Sequence, residues 1–217
     1  MAAGSEFCSA GLVVWKMRQA SVFYQYHSTK GLFEMKKQYP AMKARALVRR
    51  FGTRDPFTLA EALGIKIVFR DDFRRQKGAF KLIMRTAFIF LNANLSFYMQ
   101  HMVCAHELGH ALLHRDLGKM KMGLVEFEIL DVNSAAELEA NLFAGELLLD
   151  EDDLVEYVRD GWDLLSIAKA MNTNINLLLL RVNAYNAEHD MKLTLPEMPR
   201  RDFFGVIDDG RRNYESF

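Results

Sequence analysis

From residue 96 to 115 the sequence SFYMQHMVCAHELGHALLHR contains no proline and repeats its apolar residues at helical spacing, which predicts one long helix. A second stretch at 134–150, SAAELEANLFAGELLLD, has the same period, with Ser134 as N-cap and Glu137 three residues later as its capping-box partner. Upstream, the pattern after Pro40 in 35–51 suits an amphipathic helix with Leu47, Val48 and Phe51 inward and the arginines outward. Asp55-Pro56 then starts a short helix at 57–63, which Gly64 ends. Three runs rich in β-branched and aromatic residues, 65–70, 79–85 and 87–92, predict a small sheet beside the long helix. Residues 116–133, with Gly118 and Gly123, read as a loop that borders a cleft, anchored by Met120 and Met122. After the acidic run Asp150-Glu151-Asp152-Asp153, helices are predicted at 154–159, 164–171 and 175–185. The fold class expected is α+β, a three-stranded sheet beside a central helix with a helical C-terminal part.

At 217 residues, half of them apolar, the chain can bury one core of ordinary size. Lysine plus arginine equals aspartate plus glutamate at 28 each, so net charge gives no general pull toward nucleic acid or a membrane surface. The charge is unevenly placed. Residues 35–86 carry fourteen basic and four acidic side chains, and 107–163 carry four basic and fifteen acidic, which predicts that the two regions pair on folding. Cys8 and Cys104 are far apart and do not suggest a disulfide framework. No run approaches the roughly 18 apolar residues of a membrane span, so a cytoplasmic location is expected. Residues 1–34 differ from the rest: Gly4-Ser5-Glu6-Phe7 is what two adjacent restriction sites would encode, and this arm is expected to be vector-derived or disordered. The tail at 191–217, with Pro196, Pro199 and paired charges, is expected to order weakly.

The chemistry lies in His106-Glu107-Leu108-Gly109-His110, an H-E-x-x-H inside the long helix. Residues four apart leave one helix face, so both imidazoles can grip one ion, and Glu107 lies one step round, where a base acting on water is needed. A catalytic zinc takes three protein ligands and keeps one place open. His114 is two turns from His106, too far to share an ion with it. Cys104 reads as a small buried residue on the back of the helix. The better third donor is Glu137, which shares a helix face with Asn141 while Glu139 points elsewhere. Packing through Leu138, Leu142, Ala144 and Leu148 would bring Glu137 to the ion.

HELGHALLH followed by E-x-E-A-N-x-F-A-x-x-L-L, here 106–114 and 137–148, resembles the ImmA/IrrE family of zinc metallopeptidases. The likeness extends upstream through DPFTLAEALGIKIVF, KGAFKL and FIFLN, covering about 45–180. It departs after Leu149, where the family commonly has Met-Pro and this chain has Asp150-Glu151. The resemblance implies a zincin-like fold, Zn2+ held by His106, His110 and Glu137, Glu107 as catalytic base, and Asn141 one turn beyond the third ligand. It also implies a protein substrate, a helix-turn-helix repressor of a mobile element or stress response. The domain organisation expected is a zinc metallopeptidase domain at 35–150, a helical cap at 151–190 and the tail.

An oxyanion partner is expected among Tyr98, His101, His114, Tyr157 and Tyr185, and carboxylates behind the histidines among Asp131 and Glu146. The competing function is a non-catalytic zinc-binding regulator that binds DNA or protein through its C-terminal helices, because LLSIAKAMNTNINLLLLRVNAY has helix-turn-helix spacing. Its second helix offers Leu177 to Leu180 with only Arg181, Asn183 and Asn186 polar, which belongs to a packed cap and not to a base-reading surface, so direct nucleic-acid binding is not expected.

Overall fold

The computed structural model describes residues 32–119, 134–189 and 193–194. The chain divides into two units between Tyr39 and Pro40, and the sheet, the core and the H-E-x-x-H all belong to the unit from Pro40 onward. The arm up to residue 31, Met120, Met122 and Asp131 in the long loop, and the tail beyond Thr194 lie outside the described residues.

The architecture is α+β. Helix α1 (Leu32–Phe51) includes Pro40, so the helix does not wait for that residue as the sequence pattern suggested. Ala44 and Leu47 are buried, with Val48 and Phe51 packed against the core. Helix α2 (Pro56–Ala62) is capped by Asp55, whose carboxylate accepts the N–H groups of Phe57 and Thr58, and Gly64 takes the left-handed conformation at φ 72 that ends it. Three strands come next: β1 (Lys66–Arg70), β2 (Gly78–Ile83) and β3 (Thr86–Asn92), in the order β1-β3-β2. β3 is central, parallel to β1 with Val68 opposite Phe90, and antiparallel to β2 with Phe80 opposite Ile89.

One expectation is corrected here. Met84 and Arg85 do not lie in a strand; they form the two-residue turn of the β2–β3 hairpin, with φ 47 and 71. Such a turn is normally marked by Asn-Gly, and without that signal the apolar run reads straight through it.

Helix α3 (Phe97–Leu113) carries the H-E-x-x-H, with Ser96 as its N-cap. It packs on the sheet and on helix α4 (Ala135–Leu148), and its residues from Met102 to Ala111 are all buried. A single 3-10 turn (Leu117–Lys119) succeeds α3. Helix α5 (Glu151–Arg159) begins three residues earlier than the apolar pattern indicated, because Asp150 caps it and Glu151, Asp152 and Asp153 complement the positive end of the helix dipole. Helices α6 (Leu164–Ala170) and α7 (Ile175–His189) complete the described fold. Leu177 and Leu178 are buried in the core, and α7 packs on α4.

The basic and acidic regions do pair. Arg45 of α1 donates to Glu146 at 2.7 Å and to Glu188 at 2.6 Å, and Arg54 reaches Asp150 at 2.6 Å. Arg181, 2% exposed, contacts Glu146 at 3.4 Å and Glu151 at 2.9 Å. The one arginine of the would-be recognition helix is therefore turned inward onto carboxylates. Among the described residues no helix is long and apolar enough to cross a membrane.

Candidate metal centre

Helices α3 and α4 meet where a glycine permits it. A Cβ on Gly109 would lie 3.1 Å from the Ala140 Cα and 3.2 Å from the Ala140 carbonyl oxygen. That close approach carries Glu137 to the two histidines. Glu137 Oε2 lies 3.1 Å from His106 Nε2, and Glu137 Oε1 lies 3.3 Å from His110 Nε2. The two Nε2 atoms are themselves 3.1 Å apart. The structure thus brings together three buried donors from residues 106, 110 and 137, and they form the metal-capable group of His, Cys, Asp and Glu found among the described residues.

The donor set fits a cation on its own chemistry. His106 Nδ1 lies 2.9 Å from the acceptor oxygen Asn141 Oδ1, so it donates a ring proton there and Nε2 is left to face the centre. Glu137 Oε2, which is buried, faces that Nε2 at 3.1 Å. Two imidazole nitrogens and a carboxylate this close need a positive charge among them, a proton or a metal ion. Ligands about 2.0–2.2 Å from a tetrahedral zinc are roughly 3.4 Å from one another, close to the separations here. The electrostatics agree. Burial would raise the Glu137 carboxyl, but contact with His106 and His110 holds it at about 2. Burial would lower His106, but Glu137 and Glu107 push it above its ordinary value.

Glu107 occupies the wall between α3 and the sheet. Its carboxyl is raised by burial, against the pull of His106 and His110, and the backbone N–H of Phe80 in β2 donates to it. Gly78 makes room: a Cβ there would stand 2.3 Å from Val103 Cγ1 and 3.2 Å from Glu107 Oε1.

Other expectations fare differently. Ser134 Oγ accepts the Glu137 N–H at 3.2 Å, but the Glu137 carboxylate is committed to the histidines and not to a capping box. Glu146 is not behind a histidine; two arginines hold it instead. Cys104 is fully buried and burial pushes its thiol up, as expected for a residue on the back of the helix. Of the oxyanion candidates, His101 packs between Phe57 and Phe97, Tyr157 against Trp162, and Tyr185 on His189, while Tyr98 is exposed beside Phe97. The His114 ring lies against a centre residue, 5.3 Å from the His110 ring. Sequence reasoning missed the pairing of His114 with Glu139 at 3.0 Å and the two glycines that let backbone approach the site. For His114 the helical spacing from His110 was the available signal.

The family model described as the IrrE N-terminal-like domain, peptidase family M78, matches residues 60–183. The chain is 33% identical over 132 residues to "Uncharacterized immunity region protein 2" of Bacillus phage phi105, covering 60% of this chain and 82% of that protein. It is 28% identical over 114 residues to "Metallopeptidase ImmA" of Bacillus subtilis (strain 168), covering 52% of this chain and 65% of that one.

Proposed function

The chain belongs to the IrrE N-terminal-like family of M78 peptidases, and from that premise we propose that it is a zinc-dependent endopeptidase whose substrate is a helix-turn-helix repressor. The observation that carries the reading is the triangle of His106 Nε2, His110 Nε2 and a Glu137 carboxylate oxygen, with Glu107 buried beside it. His106, His110 and Glu137 hold the metal. When bound, zinc supplies Lewis acidity, lowering the pKa of water toward neutrality and polarising a carbonyl.

The chain's own groups do the rest. Asn141 fixes the His106 ring with Nδ1 protonated, so that Nε2 faces the centre. Glu107, its carboxyl raised by burial, accepts a proton from the attacking water and returns it to the leaving amine. The Phe80 N–H keeps that carboxylate aimed. β2 is an edge strand of the sheet, but its outer edge is already engaged: the Phe80 N–H serves Glu107, and the turn at Gly118 stands against Phe80 and the Leu82 N–H. The catalytic domain spans 35–150 and the helical cap 151–190. The protein works in the cytoplasm.

The repressor as substrate is supported by the similarity to a phage protein whose name places it in an immunity region, and by the family resemblance of the sequence. The test is incubation with the repressor from the same immunity region and, separately, with unrelated unfolded proteins. A single cut in the repressor alone is expected, absent in Glu107→Gln, which should keep its metal. Equal cutting of unrelated chains contradicts the narrow substrate. Full biological activity in Glu107→Gln favours a non-catalytic regulator.

A further inference from the structure

The two metal-facing histidines are held differently. His106 has an orienting hydrogen bond, Nδ1 to Asn141 Oδ1 at 2.9 Å. His110 has none: its Nδ1 is buried without a partner. A metal-binding histidine ordinarily donates its second ring N–H to a carboxylate, a carbonyl or water, which fixes both tautomer and ring orientation.

The neighbour that could receive this proton has a matching defect. His114, the C-cap residue of α3, places Nε2 at 3.0 Å from Glu139 Oε2. A carboxylate accepts, so the His114 proton is on Nε2 and Nδ1 carries a bare lone pair. That Nδ1 is also buried and also without a partner. If His110 binds metal through Nε2, its own Nδ1 must carry a proton. One buried orphan is then a donor and the adjacent one an acceptor. The ring centroids are 5.3 Å apart, tilted by 55°. A ring nitrogen lies about 1.1 Å from its centroid, so two Nδ1 atoms on the line between the centroids would be about 3 Å apart, which is hydrogen-bond distance.

We infer that His114, set in its tautomer by Glu139, is the positioning partner of His110, forming a chain from the Glu139 carboxylate through His114 to the His110 Nδ1–H. Closing this bond satisfies both buried nitrogens at once and orients the second ligand as Asn141 orients the first. The two histidines are thereby backed by different residues of one helix, Asn141 and Glu139 of α4, which also supplies Glu137. The inference rests on the reading of His106, His110 and Glu137 as a metal centre.

The test is the zinc affinity of the full chain, measured by competition against a chelating dye, for the parent, His114→Phe and His114→Gln. Phenylalanine keeps a ring beside His110 but offers no acceptor, and glutamine offers a carbonyl acceptor. His114→Phe should bind zinc roughly 10–100-fold more weakly, and His114→Gln should recover much of that loss. Thermal melts of each variant report whether the fold is kept. Nitrogen-15 spectra of the zinc-loaded parent need no variant: His110 should be protonated at Nδ1 and His114 at Nε2. His114→Phe binding zinc as tightly as the parent, or His114 protonated at Nδ1, would overturn the inference while leaving the metal centre standing. A parent that binds no zinc overturns both.

Discussion

Replacing Gly109 by alanine tests the helix contact that assembles the centre, because two effects of opposite sign compete there. In the interior of a helix, glycine to alanine is worth about 0.5–1 kcal/mol in favour of alanine. Gly109 is buried in α3, so with free space the variant would be more stable than the parent. The added Cβ, however, would meet the Ala140 Cα at 3.1 Å, the Ala140 oxygen at 3.2 Å and Phe143 Cδ1 at 3.2 Å. Ordinary contacts of a Cβ begin at about 3.4 Å, so these neighbours must give by a few tenths of an ångström. Two of the three neighbours are backbone atoms, which cannot rotate away. Overpacking of this kind costs about 1–3 kcal/mol, more than the propensity gain over most of that range. For a domain of this size about 2–4 °C of Tm is lost per kcal/mol, so a fall of several degrees is expected. Ala140 lies between Glu137 and Asn141, so the shift also displaces the Glu137 carboxylate, and on the proposed reading zinc affinity should fall with stability. Thermal unfolding read beside a zinc competition titration measures both. A Tm equal to or above the parent's, with unchanged zinc affinity, would refute the close packing of α3 on α4.

Three further outcomes are expected. Gly78→Ala sets a methyl 2.3 Å from Val103 Cγ1 and 3.2 Å from Glu107 Oε1, so cleavage should fall far more than zinc content, read as kcat/KM against metal per chain. Glu146→Ala leaves buried Arg181 with Glu151 as its remaining carboxylate contact and should cost about 3–5 kcal/mol in urea unfolding, whereas Glu146→Met with Arg181→Met should restore most of that loss. Burial would raise the Asp55 carboxyl, but the hydroxyl and N–H of Thr58 and the N–H of Phe57 bring it below the ordinary carboxylate range. A folded value below the unfolded one means that the cap's ionic contribution is present above about pH 4 and lost as pH falls through the folded value. Asp55→Ala should therefore cost about 0.5–2 kcal/mol at pH 7, a deficit that shrinks on acidification, while Asp55→Asn keeps its cap throughout.

What the sequence made legible was local. Ser96 and Ser134 marked the starts of the two site helices because an N-cap is a chemical requirement of the helix end, readable without any partner. The spacing of His106 with His110, and of Glu137 with Asn141, was legible because side chains four apart share a helix face. The failures needed information from elsewhere in the fold. Met84 and Arg85 carry no turn signal, and the hairpin forms because Ile83 pairs with Thr86 across them. Glu139 leaves the face of Glu137, as its position predicted, but what it meets is His114, which the spacing argument had dismissed as a ligand and kept only among the oxyanion candidates. Glu146 resembled a carboxylate for the centre until α1 and α7 brought Arg45 and Arg181 to it. Gly109 and Gly78 are invisible to pattern reading because their reason lies in the backbone and side chains packed against them.

The most direct measurement is zinc per chain in protein purified without added metal, for the parent and Glu137→Ala side by side. About one zinc in the parent and essentially none in the variant is the expected result, since the Glu137 carboxylate closes the triangle with His106 and His110. A parent that stays free of metal when zinc is supplied, or a variant that retains a full zinc, would contradict the centre as described.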